Sequence, residues 1–259
     1  MPDETPDKPA TQIPTNLRLL LIFEEIAKAG VPVAPSVLSD ALNLPRATIH
    51  RLLTTGEEEG FLERDVDGRS YAPGRRLRRL AGQTLSSERV RTERLLVMQA
   101  LAEEVGETCN LAAPDKFGMI YLDRVETHWP LRIQLPVGTR VPLHCTASGK
   151  MYLSSLRSDK LDRLLSWLDI EAQTPQTFTD REALRDEIAR TRTRGFATDD
   201  EEFMEGMAAI AVPIRDVGGR LLTTLSIHAP VQRLSLDGLI DVLPNLRSAA
   251  TKIEELTSA

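Results

Sequence analysis

At 259 residues, with 41% hydrophobic and 27% charged side chains, the chain can build more than one small folded domain, because domains commonly run about 100–200 residues. This composition excludes a wholly disordered protein, and no apolar run approaches the roughly 20 residues that span a bilayer. A formal net charge of −6 argues against nonspecific coating of nucleic acid while leaving room for a local basic face.

Residues 1–13 read as a polar, Pro-rich, disordered tail without a signal-peptide core, so the expected location is the cytoplasm, with no membrane partner. Next, Leu17, Leu20, Leu21, Phe23, Ile26 and Ala27 line one side of a helix ending at Gly30. The segment LSDALNLPRATIHRLL, from Leu38 to Leu53, predicts two short helices joined by a tight turn. Leu38, Leu42, Ile49 and Leu52 supply apolar positions that crossed helices can bury, and Ser39 permits close approach. Asn43 tolerates the left-handed region the turn needs, and Pro45 suits the first turn of the second helix.

Left over from packing near the start of that helix are Arg46, Ala47, Thr48, His50 and Arg51, a set able to bind phosphates and read base edges in a major groove. An ordinary pair of core helices with a solvated basic face is the competing reading. Residues 60–64 and 70–74 predict short strands around the turn 65–69, where Gly68 supplies positive φ. The resulting order is helix, helix, recognition helix, wing, over residues 14–76. Arg64 and Arg69 either reach phosphates or the minor groove from the wing, or are simply solvated. Glu57, Glu58 and Glu59 give this face mixed signs, so DNA binding is expected to be specific and salt-sensitive.

From Leu77 to about Val105 the apolar spacing is helical, with interruptions expected at Gly82 and Ser86-Ser87. This predicts a linker helix over 77–90 and a second, α+β domain over 91–259, whose first helix ends at Gly106. Strands follow over 109–114, 118–126 and 131–135 as an antiparallel meander. Helices are predicted over 158–168 and 179–194, the latter opened by the box Thr179-Asp180-Arg181-Glu182 and closed by Gly195. A hairpin over 208–215 and 220–229 turns at Asp216-Val217-Gly218-Gly219, and a long helix closes the chain over 235–256. Cys109 and Cys145 read as reduced, buried thiols.

The stretches LPRATIHRLL, GRSYAPG, GETCNLA, VGTRVPLHCTASGKMYL, RGFATDDEEFMEGMAAIAVPIRD and LSIHAP, in this order and spacing, resemble the IclR family of bacterial transcriptional regulators from about Asn16 to the C-terminal helix. The resemblance implies an N-terminal winged helix-turn-helix domain, a linker helix and a C-terminal GAF-like effector-binding domain. It further implies double-stranded operator DNA and a small-molecule effector as partners, and a homodimer or dimer of dimers.

Physical reasoning adds a candidate site. Thr146, Ala147, Ser148 and Gly149 open a helix whose free N–H groups favour an anion such as a carboxylate. By resemblance the effector cavity is lined by Ala147, Ser148, Asp199, Ala209, Ser226 and His228, with Val141 beside the same stretch. Ser148 and Thr146 serve equally well as helix caps, Asp199 as a cap or turn residue, and His228 as a satisfied core group. Ala209 stands where some relatives that bind small oxo acids have cysteine, and His228 where they have serine, so a different ligand is expected. His128 and Trp129 either cover the pocket or decorate a loop. With only 4% aromatic residues, a large aromatic effector is disfavoured.

No cofactor or metal is expected, since His50, His128, His144 and His228 are scattered singly. A thiol enzyme built on Cys145 with His144 or His228 lacks an evident activating third group. The expected function is therefore a non-enzymatic, effector-responsive DNA-binding regulator. The alternative is a small-molecule sensory module whose winged helix contacts proteins.

Overall fold

The structure, a computed structural model, describes residues 13–65, 68–85, 88–115 and 118–258. The chain divides between residues 85 and 86 into two compact units. The expected disordered tail lies, up to residue 12, outside the described residues, as do Val66 and Asp67 of the turn and the Ser86-Ser87 pair.

The first unit contains α1 (Arg18–Ala29), α2 (Pro35–Leu42), α3 (Arg46–Glu58), β1 (Leu62–Arg64), β2 (Tyr71–Pro73) and α4 (Arg75–Leu85). Its core joins Ile22, Phe23 and Ile26 of α1 to Leu38, Ile49, Leu52, Leu53, Leu62 and Tyr71. The buried stripe of α1 is therefore narrower than expected: Leu17 and Leu20 are 43% and 53% exposed. Leu17 stands at the N-cap, and only one face of a helix can meet α2 and α3.

Asn43 adopts φ 49°, ψ 43° and closes α2, and the Ser39 hydroxyl donates to the Leu44 carbonyl at 2.7 Å, pinning the turn. Pro45 is the N-cap of α3 and stands just outside its first turn. Antiparallel β1 and β2 pair Leu62 with Pro73 and Arg64 with Tyr71, and Tyr71 exchanges both backbone bonds with Val33 at 2.9 Å. Gly82 lies within α4 and does not interrupt it.

The second unit contains α5 (Glu88–Val105), β3 (Thr108–Asp115), β4 (Gly118–Val125), β5 (Arg140–Val141), α6 (Ala147–Ser155), α7 (Ser158–Trp167), α8 (Arg181–Arg194), β6 (Ala197–Asp200), β7 (Met207–Arg215), β8 (Leu221–Pro230), α9 (Leu236–Asp241) and α10 (Leu243–Ser258). Its sheet runs β5-β4-β3-β8-β7-β6, with antiparallel neighbours throughout. One face packs Cys109, Leu111, Ile210, Val212, Leu225 and Ile227 against α5, α9 and α10 through Met98, Leu101, Leu239, Leu246 and Ile253. A buried ion pair joins α5 to β4: Asp123 accepts from Arg91 at 2.9 Å and also from Arg94.

Several expected elements are corrected. Residues 131–135 form no strand. Arginine side chains engage the local carbonyls instead of a neighbouring strand: Arg132 reaches Trp129, Arg233 reaches Leu131 and Arg124 reaches Ile133. The third strand of the meander is β5, whose Val141 pairs with Met119. The short β6, TDD after one alanine, lacks apolar alternation and escapes pattern reading. Asp180, rather than Thr179, caps α8, accepting from Ala183 N at 2.7 Å. The C-terminal helix breaks at Val242, because Pro244 has no N–H to continue the ladder.

Gly74 passes so close to the loop before β1 that a Cβ would lie 2.6 Å from the Gly60 carbonyl oxygen and 2.8 Å from the Leu62 backbone. Backbone cannot yield as a side chain can, so Gly74→Ala is expected to destabilise the first unit by about 1–3 kcal/mol. Amide exchange at Asp65 and Tyr71 checks this, since the Asp65 N–H bonds to the Ser70 carbonyl across the wing and the Tyr71 N–H ties the wing to the Val33 carbonyl. Faster exchange is predicted, and unchanged protection contradicts it.

Candidate functional site

Burial of Ile49, Leu52 and Leu53 fixes the rotation of α3 and leaves Arg46, Ala47, His50 and Arg51 exposed, with Thr48 half-buried. A cleft of about 380 Å³ between α3, the start of α2 and the wing is lined by Arg46, His50, Arg64 and Arg69 together with Pro35, Ser36, Gly68 and Tyr71. Four of the seven predicted DNA-facing residues thus converge on one concavity; Ala47, Thr48 and Arg51 lie outside it.

Arg64 is held in place. Its Nε donates to both Glu57 oxygens at 2.9 Å, and its guanidinium lies 4.9 Å from the centre of the Tyr71 ring. Glu59 pairs with Arg76 and Glu63 with Arg78. Glu57 and Glu59, read from sequence as opposing charges on the DNA face, are therefore engaged by arginines of the wing and α4.

The second candidate site is the sheet face beneath α6. Period-two alternation puts Leu225 and Ile227 against α5 and α10 and turns Ser226 and His228 the other way. Pairing then aligns Arg124, Asn110, Ser226 and Ala211 in one row, and Thr108, His228, Ala209 and Asp199 in the next. Ala147 and Met151 of α6 sit on Ala197, Ala209 and Ala211, so Ala209 is also a packing surface. Thr146 caps α6, accepting from Gly149 N at 3.0 Å. Gly149 is required there, since a Cβ would lie 2.4 Å from the Leu143 carbonyl oxygen.

On this floor Ser148 Oγ lies 3.4 Å from Ser226 Oγ. Ser226 donates to the Asn110 carbonyl at 3.3 Å and lies 3.0 Å from His228 Nε2. Asp199 Oδ1 accepts the N–H groups of Glu202 at 2.9 Å and Phe203 at 3.2 Å, across a turn in which Glu201 takes φ 59°. Glu202 is paired with the buried Lys150.

The structure thus brings together Ala147, Ser148, Asp199, Ala209, Ser226 and His228. It sets two predicted residues apart. Val141 is buried beside Met119, Tyr121 and Leu143 and borders a separate 290 Å³ surface pocket with His144, Asp169 and Glu171. Trp129 is 45% exposed, stacked on His128 and on Arg233. Asn110, Tyr121, Arg124, Lys150 and Glu202 were missed. The alternation in GETCNLA, polar Asn110 between apolar Cys109 and Leu111, was the available signal for the first of them.

Burial, reinforced by the Arg124 charge, pushes the His228 imidazole down to about 3, so it is neutral at physiological pH. Burial and then the Glu202 carboxylate push Asp199 up to about 7, against the pull of Lys150 and the backbone N–H groups. Cys145 is pushed up to about 12 by burial and the nearby carboxylates; a protonated thiol is a poor nucleophile. Among the described residues no group of three or more His, Cys, Asp or Glu side chains is placed to hold a metal ion. No described helix is long and apolar enough to cross a membrane.

These two shifts oppose each other in pH. Folded Asp199 keeps a proton that the unfolded chain releases above 3.8, so its contribution to stability falls as pH rises towards about 7. Folded His228 refuses a proton that the unfolded chain takes below 6.5, so its contribution grows as pH rises from about 3. Each slope is about 1.4 kcal/mol per pH unit at most. Asp199→Asn, which still accepts both N–H groups, should therefore gain stability relative to the native chain as pH rises from about 4 to 7. His228→Gln should lose it over the same range. Urea unfolding followed through Trp129 and Trp167, both in the second unit, reads this; pH curves parallel to the native one contradict it.

Comparison with known proteins identifies the two domains. Residues 17–66 match the family model for the IclR helix-turn-helix domain, and residues 82–255 that for the bacterial transcriptional regulator IclR C-terminal domain. The chain is 38% identical over 237 residues to "Probable transcriptional regulator SauR" of Cupriavidus necator, covering 92% of this chain and 94% of that protein. It is 30% identical to the transcriptional repressor IclR of Escherichia coli K12, covering 95% and 90%. Among solved structures, Thermotoga maritima IclR is similar at TM-score 0.62 and 26% identity, covering 93% of this chain and 97% of that one. An IclR homologue of Microbacterium hydrocarbonoxydans crystallised with 4-hydroxybenzoate is similar at TM-score 0.60 and 28% identity, covering 93% and 98%. With both models matched in order along the chain, the second over more than half of its length, the chain belongs to the IclR family of DNA-binding transcriptional regulators.

Proposed function

We propose that this regulator reads its operator with Arg46, Ala47, Thr48, His50 and Arg51 of α3, steadied on phosphates or the minor groove by Arg64 and Arg69. The observation that supports the reading is the cleft shared by Arg46, His50, Arg64 and Arg69: four side chains able to donate to phosphate oxygens or base edges converge there. The chain acts as a non-enzymatic switch in the cytoplasm, as a homodimer or dimer of dimers. Its functional division is a tail over 1–13, a DNA-binding domain over 14–76, a linker helix over 77–90 and an effector domain over 91–259.

The effector is a small carboxylic acid held beneath α6. Its carboxylate meets the N–H groups of Ala147 and Ser148, which the helix itself does not use, while Ser226 and neutral His228 supply further hydrogen bonds. The Microbacterium homologue bound to the carboxylate 4-hydroxybenzoate supports an acid in this class of domain. Binding shifts the population between arrangements of the paired DNA heads, which requires the acid to prefer one arrangement.

The test screens short carboxylic acids, 4-hydroxybenzoate included, for a rise in the melting temperature of the full-length chain, then measures operator affinity with each acid that binds. A change in operator affinity of about 5- to 150-fold is expected. An acid that demonstrably binds at this site and leaves operator affinity unaltered contradicts the proposal.

A further inference from the structure

Two buried hydrogen-bond donors on the floor beneath α6 have no protein partner: Asn110 Nδ2 and the Tyr121 hydroxyl. Asn110 is fully buried and Tyr121 is 1% exposed. A buried polar group left without a partner costs about 1–3 kcal/mol, so two together call for a common explanation.

The orientation of the Asn110 amide is determined by its neighbour. Arg124 Nη1 donates to Asn110 Oδ1 at 2.9 Å; a flipped amide would set donor against donor. Arg124 is itself fully engaged, through Nε on Glu126 at 2.9 Å and Nη2 on the Ile133 carbonyl, so it is a positioning residue that also leaves a positive charge on this side. The other end of the floor holds Asp199, which keeps its proton up to about pH 7, and Glu202, paired with Lys150. The unpartnered buried oxygen there, Glu202 Oε2, is an acceptor. The Arg124 guanidinium therefore favours an acceptor oxygen on the β3–β4 side.

Asn110 faces Ser226 across the β3–β8 pair, and Ser226 Oγ lies 3.4 Å from Ser148 Oγ in the first turn of α6. The Tyr121 ring meets His228 edge-on at 6.3 Å between centroids. Asn110 is thus related to the start of α6 through Ser226, and Tyr121 stands beside His228, whose Nε2 lies 3.0 Å from the same serine.

We propose that Asn110 and Tyr121 form a second acceptor-binding end of the effector site, so that the effector is a short compound carrying an oxyanion or carbonyl group at each end. One end meets the first-turn N–H groups of α6; the other takes the Asn110 amide and the Tyr121 hydroxyl. This rests on the reading of the floor beneath α6 as the effector site. A one-ended acid leaves both donors unpaired, and a site built to hydrogen-bond a group discriminates strongly against analogues that lack it.

The test is calorimetric titration of the full-length chain with malonate and succinate against acetate and propionate. At least one diacid is expected to bind about tenfold or more tightly than either monoacid. Tyr121→Phe should lower that preference about tenfold while melting no lower than the native protein, because the hydroxyl has no bond to lose. Asn110→Asp keeps an oxygen for Arg124 but replaces the donor with a carboxylate oxygen, and should abolish the preference.

Equal binding of monoacids and diacids, or an unchanged preference in Tyr121→Phe, overturns the second end and leaves the carboxylate reading standing. Silence from all four acids overturns the second end as well. Only if the wider acid series is also silent does the carboxylate reading fall with it.

Discussion

The common antiparallel register of β3, β8, β7 and β6 is the constraint on which the second unit depends. Side chains alternate along a strand, so a slip of one residue would exchange its two faces. Leu111, Ile210, Leu225 and Ile227 are all at or below 1% exposed on the face under α5 and α10. Burying each such side chain is worth about 1.5–3 kcal/mol, whereas an intramolecular hydrogen bond contributes about 0.5–1.5 kcal/mol net. The apolar face therefore sets the register, and the polar residues Asn110, Ser226, His228 and Asp199 follow on the opposite side.

That polar face is tolerable because α6 covers it closely and because most of its groups find partners. Small side chains at Ala197, Ala209 and Ala211 let α6 settle, and Gly149 lets its first turn approach the Leu143 backbone. The helix start then faces a serine and a neutral histidine, with a carboxyl group titrating near neutrality at the far edge. With Asp199 titrating near neutrality and Glu202 paired with Lys150, the floor discriminates by hydrogen bonding more than by net charge.

Local chemistry was legible wherever neighbouring residues decide the outcome. Asn43 and Pro45 punctuate the helix-turn-helix, Gly195 closes α8 with φ 75°, and Asp216 accepts from Gly218 N and Arg220 N in the hairpin turn. What was hidden depends on distant partners. Residues 131–135 carry a plausible strand pattern, yet the Leu131 carbonyl is engaged by Arg233, 102 positions away. The Lys150–Glu202 pair spans 52 positions, and no local pattern marks it. Of the candidate site, the helix start and the β6–β8 residues were readable from motif and resemblance. Asn110, Tyr121 and Arg124 gained meaning only when strand pairing set them beside Ser226 and His228.

In the first unit the same logic operates with a helix in place of a sheet. Ile49, Leu52 and Leu53 determine which way α3 faces, and the Glu57–Arg64 pair draws the wing towards it. Arg46, Ala47, His50 and Arg51 are left exposed on that helix. The most direct test is fluorescence anisotropy of the purified chain on the intergenic duplex upstream of its own gene, against a scrambled duplex, across a salt series. Specific regulators commonly prefer their site by about 10³-fold or more, and a preference of that order, weakening with salt, is predicted. Equal affinity for the two duplexes would contradict the account.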